Sequence, residues 1–439
     1  MADRFVIVGN GPAGLTAAET IRALNPTADI VVVNGDTHGF YSKPGLAYLL
    51  AGLVPQPRLF SRSEKDMADA QIRVVRGRAV RVSPADHCVV LAGDTTLPYD
   101  RLLLALGATA VRPDIPGISL PGVVTLDSLD DARLILKLAE GAKTACVVGG
   151  GITALELAEG IASRGVETHY LMRGERYWAS VLDPHESAMV EARLAHEGVN
   201  VHRGVELESV VAANGRVAAV VTRTGQRLPC DLLAVAIGIQ PRIDIAREAG
   251  LATGRGIWTD AMLRTSDKDI FAAGDVAEVL DPTGARRSLD SLWSVAIAHG
   301  HIAGANMCGG SEVYRRPAPF NVTKIGGIMT TLIGAVGTGG REGDLVTLAR
   351  GDSSLWRERL DGFAVAADTG DNHLRLVLSE DRILGAVVMG DQALSRPLQH
   401  AIREGLDISA VRGRLKEHPA AVAQVLAELT EPKVTVAAP

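Results

Sequence analysis

Two short glycine runs carry the clearest chemistry in this sequence. In "GNGPAG", Gly9, Gly11 and Gly14 stand at the spacing GxGxxG, with Pro12 and Ala13 between the last two. In "GGGITALE", Gly149, Gly151 and Ala154 give the variant GxGxxA. The first glycine of such a run permits a tight turn. The second lets a diphosphate approach the backbone, and the third small residue lets helix and strand pack closely. Helix N-terminal N–H groups and the helix dipole then hold the anion. Two such runs imply two dinucleotide sites in one chain. An acid that reads the adenosine ribose is expected just past the second strand. Asn34, Gly35 and Asp36 stand there, and Asp36 has the right chemistry. At the matching place in the second copy the chain has Met172 and then Arg173, with Arg176 close by. Two arginines without an acid leave room for a 2′-phosphate, so NADH and NADPH both stay open. Glu156, two residues past Ala154, is a carboxylate that the start of its helix tolerates well.

These residues need a particular scaffold. "RFVIVGNGPAGLTAAETIRAL" followed by "ADIVVVNGD" reads as strand, glycine turn, helix, strand. The same order returns about 140 residues later in "TACVVGGGITALELAEGIASRGVETHYLM", residues 144–172. Between the copies, "ALGATAVRPDIPG" at 105–117 has the prolines and glycines of a crossing between domains. "LAVAIGIQPRIDIAREAGL" at 233–251 suggests the return. Residues 291–307 read as a helix, and from about 315 the pattern turns to β-rich alternation. "LRLVLSEDRILGAVVMGD" predicts a hairpin turning at Ser379–Arg382. The tail 411–439 predicts a short helix from about Pro419 and then a loose Pro/Val/Ala end.

Composition narrows the function classes. The chain has 439 residues, 47% hydrophobic, enough for two or three domains with proper cores. A formal net charge of −6 offers no basic excess for nucleic acid. The four cysteines, Cys88, Cys146, Cys230 and Cys308, form no CxxC pair and no metal spacing. They suit buried positions in a reducing compartment. "MADRFVIVGNG" lacks a signal-peptide layout and no apolar run reaches membrane-span length, so a cytoplasmic protein without a membrane span is expected.

Five motifs occur in order: "VIVGNGPAGLTAAETIR", "LPYDRLLLALGA", "VVGGGITALELA", "LLAVAIGIQP" and "DIFAAGDVAE". Together they resemble the FAD- and NAD(P)-dependent pyridine nucleotide–disulfide oxidoreductase superfamily over roughly residues 4–310. Within it, the chain is most similar to rubredoxin and ferredoxin reductases and to the flavin-binding N-terminal part of nitrite reductase large subunits. The resemblance implies an α/β fold with two Rossmann-like domains and a C-terminal α+β interface domain. The expected divisions are 1–112 with 241–314 for FAD, 113–240 for NAD(P), 315–410 for the interface domain and 411–439 for the tail. The interface domain resembles one used for dimer contacts, which makes a homodimer an expectation.

The resemblance also assigns roles. Gly274 and Asp275 match the second FAD motif, where the aspartate accepts from the ribityl chain. Glu156 matches a glutamate at the flavin–nicotinamide junction. "SLWSVAIAHG", from Trp293, matches the helix whose N-terminus points at the flavin pyrimidine. Lys43 aligns with a basic residue near the FAD phosphates, and Pro44 fixes the chain entering "GLAYLLAG". Gly107 and Gly238, in the two crossing motifs, are expected to be cofactor-binding residues. Three departures matter. Leu106 stands where the family has a threonine, Tyr48 stands where several ferredoxin reductases have a lysine, and no cluster- or haem-binding section follows. Relatives with one catalytic cysteine carry it within 40–50, and this chain has Pro44 there. The expected activity is hydride transfer from NAD(P)H to FAD, then electron transfer to rubredoxin, ferredoxin or a partner reductase subunit. The alternatives are the flavoprotein subunit of a multi-subunit dehydrogenase, or an NADH oxidase or disulfide reductase, which the missing cysteine disfavours.

Overall fold

The computed structural model describes residues 3–284, 286–337, 348, 350–358, 360–369 and 372–430. The chain gathers into two compact units. One holds the chain up to Arg173, then Glu197–Arg316 and a short return around 350–354. The other holds Gly174–His196, 317–337 and 355–430.

The first unit contains two five-stranded parallel sheets. In one, the order is Ile270–Ala272, Arg101–Leu104, Arg4–Val8, Asp29–Asn34, Ile72–Arg76. In the other it is Val123–Val124, Leu232–Val235, Thr144–Val148, Glu167–Leu171, Val199–His202. In each, the strand before the glycine run sits in the centre, which is the repeat seen in the sequence. The central strands are runs such as Phe5–Val8 and Val31–Val33, buried throughout because parallel sheets are covered on both faces. The two crossing segments pair with each other: Ala108–Ala110 runs antiparallel to Ile239–Pro241.

The helix Pro12–Leu24 packs closely against the helix Trp293–Met307 through glycines of the latter. A Cβ added at Gly300 would stand 2.3 Å from Ala13 O, and one at Gly304 would stand 2.8 Å from Ala17 O. Only hydrogen fits at these two positions.

The second unit is built on an antiparallel five-stranded sheet. Its order is Phe320–Ile325, Ile328–Gly334, Ile383–Met389, Asn372–Leu378, Phe363–Thr369. The hairpin turn falls at Ser379–Arg382, where Ser379 N–H donates to Arg382 O at 2.9 Å. Helices Ser395–Glu404, Arg412–Glu417 and Val422–Thr430 cover one face. Leu415, Val422, Val425 and Leu426 are buried in the same core as Leu376, Leu378 and Val388. Residues 411–430 thus complete this unit, and 431–439 lie outside the described residues. The helix Pro184–His196, which falls in the sequence range 113–240, is also part of this unit. Its Val190 backbone abuts Gly326, where a Cβ would lie 2.9 Å from Val190 O.

A helix-interior Gly→Ala change ordinarily stabilises by about 1 kcal/mol. Gly300→Ala is expected to do the reverse, lowering stability by about 2 kcal/mol through overpacking against Ala13. Thermal unfolding of the two proteins checks the sign.

Candidate dinucleotide sites

The strand Arg4–Val8 ends at Gly9, whose φ of +121° few other residues adopt. A Cβ there would stand 2.1 Å from Ala105 O, and one at Gly14 would stand 1.9 Å from Gly9 O. Both contacts are backbone against backbone, so neither neighbour can yield. Around Gly11 the situation is opposite: an added Cβ meets nothing within 4 Å. Gly11 caps the helix Pro12–Leu24 in an extended conformation with no side-chain cap. The first-turn N–H groups therefore have no internal partner. In the same turn Asn10 Oδ1 is buried with no donor. Open space, free N–H donors and an orphaned acceptor fit a diphosphate that carries hydroxyl or amine donors.

Gly274 follows the strand Ile270–Ala272 with φ +76°, and an added Cβ would lie 3.1 Å from Ala13 Cβ. That contact sets Asp275 beside the start of the first helix. Burial raises the Asp275 carboxyl above its usual range, against the pull of Arg350, Lys43 and Arg242. Lys43 belongs to the same group. Burial, then Arg350 and Arg242, push its ammonium down to about 8. Arg242 donates from Nη1 to Leu106 O at 3.1 Å, and its N–H to Gly107 O at 3.0 Å. Gly107 turns there with φ +66°. Arg350 Nη2 reaches Asp127 Oδ1 at 2.5 Å, and Nη1 donates to Leu126 O at 2.9 Å. Asp127 Oδ2 accepts from Thr109 Oγ1 and from Ala110 N–H. Burial alone would raise Asp127, but Arg350 and those donors hold it below the ordinary range. Three cations thus share a half-buried space with two carboxylates, and an anion would balance the excess.

Arg350 enters this cluster on a segment laced to the chain before the helix Trp293–Met307. Gly351 N–H donates to Ser291 O at 2.8 Å, and Ser353 Oγ donates to the buried Asp290 at 2.8 Å. Arg316 grips the same carboxylate at 2.7 and 2.6 Å. Trp293, half-buried, opens the helix with its ring 6.0 Å from Phe40. Within the helix, Gly274 N–H donates to His299 Nδ1 at 3.3 Å. His299 is buried, and desolvation pushes it down to about 4.

Asp36 has its carboxylate engaged within its own loop. Oδ1 accepts from His38 N–H at 3.0 Å and Oδ2 from Tyr41 Oη at 2.9 Å. Tyr41 Oη in turn accepts from Leu129 N–H at 3.1 Å, tying the loop to the helix Leu129–Ala139. Pro44 is exposed and precedes the short helix Gly45–Leu50. Arg164 donates to the last carbonyls of that helix, Leu50 at 2.9 Å and Leu49 at 3.1 Å. A cation suits a helix C-terminus. Gly160 completes the contact, since a Cβ there would lie 2.9 Å from Leu50 Cβ.

The second glycine run repeats the first. Gly149 has φ +151°, and a Cβ there would stand 2.2 Å from Ala236 O and 2.7 Å from Ala154 Cβ. Gly151 caps the helix Ile152–Ala162 without a side-chain cap, and Gly150 has open space around it. Gly238 turns with φ +137° in the return crossing. Arg173 is exposed, whereas Arg176 donates to Ala179 O and Leu182 O in its own loop. Glu156 is half-buried, and after burial it is the charge that raises the Tyr48 phenol. The FAD-side loop and the second glycine helix therefore meet at Tyr48 and Glu156. Asn10, Asp127, Arg242 and Arg350 were not singled out from sequence. Arg242 sat inside a quoted motif, but nothing local marked Arg350.

The sequence pattern of pyridine nucleotide-disulphide oxidoreductases matches residues 3–300. This chain belongs to that family. It is an FAD- and NAD(P)H-dependent oxidoreductase, a flavoprotein enzyme with Rossmann-like domains. The chain is 32% identical over 395 residues to the biphenyl dioxygenase system ferredoxin–NAD(+) reductase component of Paraburkholderia xenovorans, covering 88% of this chain and 94% of that one. It is 34% identical over 276 residues to the rubredoxin–NAD(+) reductase of Alcanivorax borkumensis, covering 63% and 72%. The crystal structure of the ferredoxin reductase for the CYP199A2 system from Rhodopseudomonas palustris superposes with a TM-score of 0.78. That likeness has 27% identity and covers 88% of this chain and 91% of that one. Among the described residues, no helix is long and apolar enough to cross a membrane.

None of the four cysteines lies in residues 38–52. Cys146 and Cys230 are buried, and Cys230 together with burial pushes the Cys146 thiol far above its usual range. Burial also raises Cys308.

A histidine held below its unfolded value near 6.5 binds fewer protons folded than unfolded between about 4 and 6.5. Stability from His299 is therefore present above that window and lost as pH falls through it, on the order of 3 kcal/mol in all. His299→Asn, which keeps an acceptor for Gly274 N–H, is expected to flatten the acid limb of thermal stability between pH 6.5 and 4. Parallel melting curves of the two proteins test this.

Proposed function

We propose that this enzyme passes electrons from NAD(P)H, through FAD, to a separate small iron–sulfur protein of ferredoxin or rubredoxin type. One juxtaposition carries the reading: in the unit that holds both glycine cradles, Tyr48 of the thiol-free segment 38–52 meets Glu156 of the second glycine helix. The relatives named for ferredoxin and rubredoxin support the choice of acceptor.

When bound, the flavin supplies acceptance of a hydride from nicotinamide and release of single electrons. The chain's own residues do the rest. Gly9, Gly11, Pro12, Ala13 and Gly14 leave room and N–H donors for the FAD diphosphate, and Lys43, Arg242 and Arg350 balance its charge. Asp275 accepts from a sugar hydroxyl. Gly149, Gly151 and Ala154 do for the nicotinamide dinucleotide what the first run does for FAD, with Arg173 near the ribose end. Glu156 and Tyr48 flank the junction and orient the nicotinamide. Trp293 opens the helix that faces the flavin. We further infer a cytoplasmic homodimer, a reading supported by the family likeness and by four unpaired thiols suited to a reducing compartment.

The decisive assay is anaerobic titration of purified holoenzyme with NADH and NADPH, followed by ferredoxin, rubredoxin, oxygen and a disulfide as acceptors. Bleaching of the flavin by a nicotinamide and rapid reoxidation by an iron–sulfur protein are expected. Failure of both nucleotides to bleach it would end this reading. Arg350→Gln is expected to weaken FAD binding about tenfold, the scale of one charge-assisted hydrogen bond. Glu156→Ala should slow anaerobic flavin reduction with FAD content unchanged.

Lys43 gives a pH signature. Burial, Arg350 and Arg242 hold its ammonium down to about 8, and a bound diphosphate raises it again. Binding then takes up a proton above that pH, so FAD affinity should fall as pH climbs past about 8. Lys43→Met should bind more weakly at neutral pH and lose that slope. Fluorescence titration of apoprotein with FAD across pH gives both quantities.

A further inference from the structure

The second unit contains a cluster of imidazoles and carboxylates that flavin chemistry does not use. Asp368 and His373 are cross-strand partners at the end of the hairpin formed by Phe363–Thr369 and Asn372–Leu378. His185 is the second residue of the helix Pro184–His196. His373 Nδ1 lies 2.8 Å from Asp368 Oδ1, and His185 Nε2 lies 3.4 Å from the same oxygen. The three ligand atoms all lie within 4.8 Å of one another. A tetrahedral cation with bonds of about 2.0–2.1 Å holds its ligand atoms about 3.3 Å apart, so only small side-chain adjustments separate this set from a coordination shell.

We propose that His185, His373 and Asp368 bind a borderline divalent cation of the Zn2+ class, which fastens the start of the helix to the hairpin. The orientation of His373 supports the assignment. Its Nε2 faces Glu186 Oε1 at 3.2 Å, deep in the unit, so Nδ1 is the nitrogen turned outward. Glu186 is itself held by Arg375, with Nε at 2.8 Å and Nη2 at 3.1 Å, and by Asp183 N–H at 2.8 Å. A carboxylate that orients the far nitrogen of a histidine is the usual outer support of a zinc ligand. Asp183, Glu186 and His373 form an inner acidic set, but Arg375 already supplies its positive charge. The outer set, two imidazoles and a carboxylate, includes no arginine or lysine. It is also reachable: the side chains of His185 and Asp368 are 58% and 57% exposed, while that of His373 is 1% exposed. Solvent can complete the shell, as in sites with three protein ligands and an open position. Two imidazoles and one carboxylate favour Zn2+, Co2+ or Ni2+ over Mg2+ and Ca2+.

The test uses tag-free holoenzyme stripped with a chelator and titrated with ZnCl2 against a chromophoric competitor, with melting curves in parallel. One equivalent of Zn2+ should bind and raise the unfolding temperature. His185→Ala and Asp368→Asn, both at exposed positions, should each weaken binding at least tenfold and abolish the thermal shift. Both should keep wild-type flavin content and NADH-dependent flavin reduction. Equal Zn2+ affinity in wild type and His185→Ala would overturn the proposal. So would a thermal shift with MgCl2 as large as that with ZnCl2, which would mark an unselective acidic surface.

Discussion

The structure depends on a close approach of backbone to backbone at one glycine turn. Gly14 packs against Gly9, Gly9 against Ala105, and no side chain fits at either contact. That approach lays the start of the first helix on the centre of the sheet with its N–H groups facing open space. Gly274 then docks on Ala13, and Gly300 and Gly304 let the helix Trp293–Met307 lie along the same helix. A methyl group at any of these places would push apart elements that have no soft neighbours. The cradle is thus rigid before any ligand arrives, which is what preorganised binding requires.

Charge is arranged around that frame with the same economy. Lys43 comes from the loop after the second strand, Asp127 from the edge of the second sheet, Arg242 from the return crossing, and Arg350 from a distant segment. Their mutual repulsion is tolerated because Asp127 and Asp275 sit among them and because the cluster is only half-buried. Burial first, then Arg350 and Arg242, lower the Lys43 ammonium, and an anion offsets the part due to the two guanidinium groups.

Much of the frame was legible in the sequence because its causes are local. A glycine run between an apolar strand and a helix states its own geometry, and so did the Ser379–Arg382 turn, whereas Gly274–Asp275 was singled out only through the family resemblance. Residues that converge only through topology left no such trace. Arg350 looks like one surface arginine among many until its segment is seen hydrogen-bonded to Ser291. Asp36 was readable as a carboxylate in the right place, but not as one engaged by His38 and Tyr41 of its own loop. Arg173 and Arg176 read as a pair, yet Arg176 turns to its own carbonyls. The helix Pro184–His196 shows the same limit. Its neighbours in sequence are strands of the first unit, and only its buried contacts reveal the unit to which it belongs.

That helix has a consequence for how the protein is made. Its buried residues, Val190 and Leu194 among them, find their core only after the strands that begin at Phe320 have been synthesised. Chains emerge from the ribosome at about 5–20 residues per second, so the helix waits on the order of ten seconds with its apolar face uncovered. Folding of the nascent chain is therefore not a march from one finished domain to the next. An early segment must stay available until the last third of the chain arrives, and that interval is when the protein most needs a chaperone.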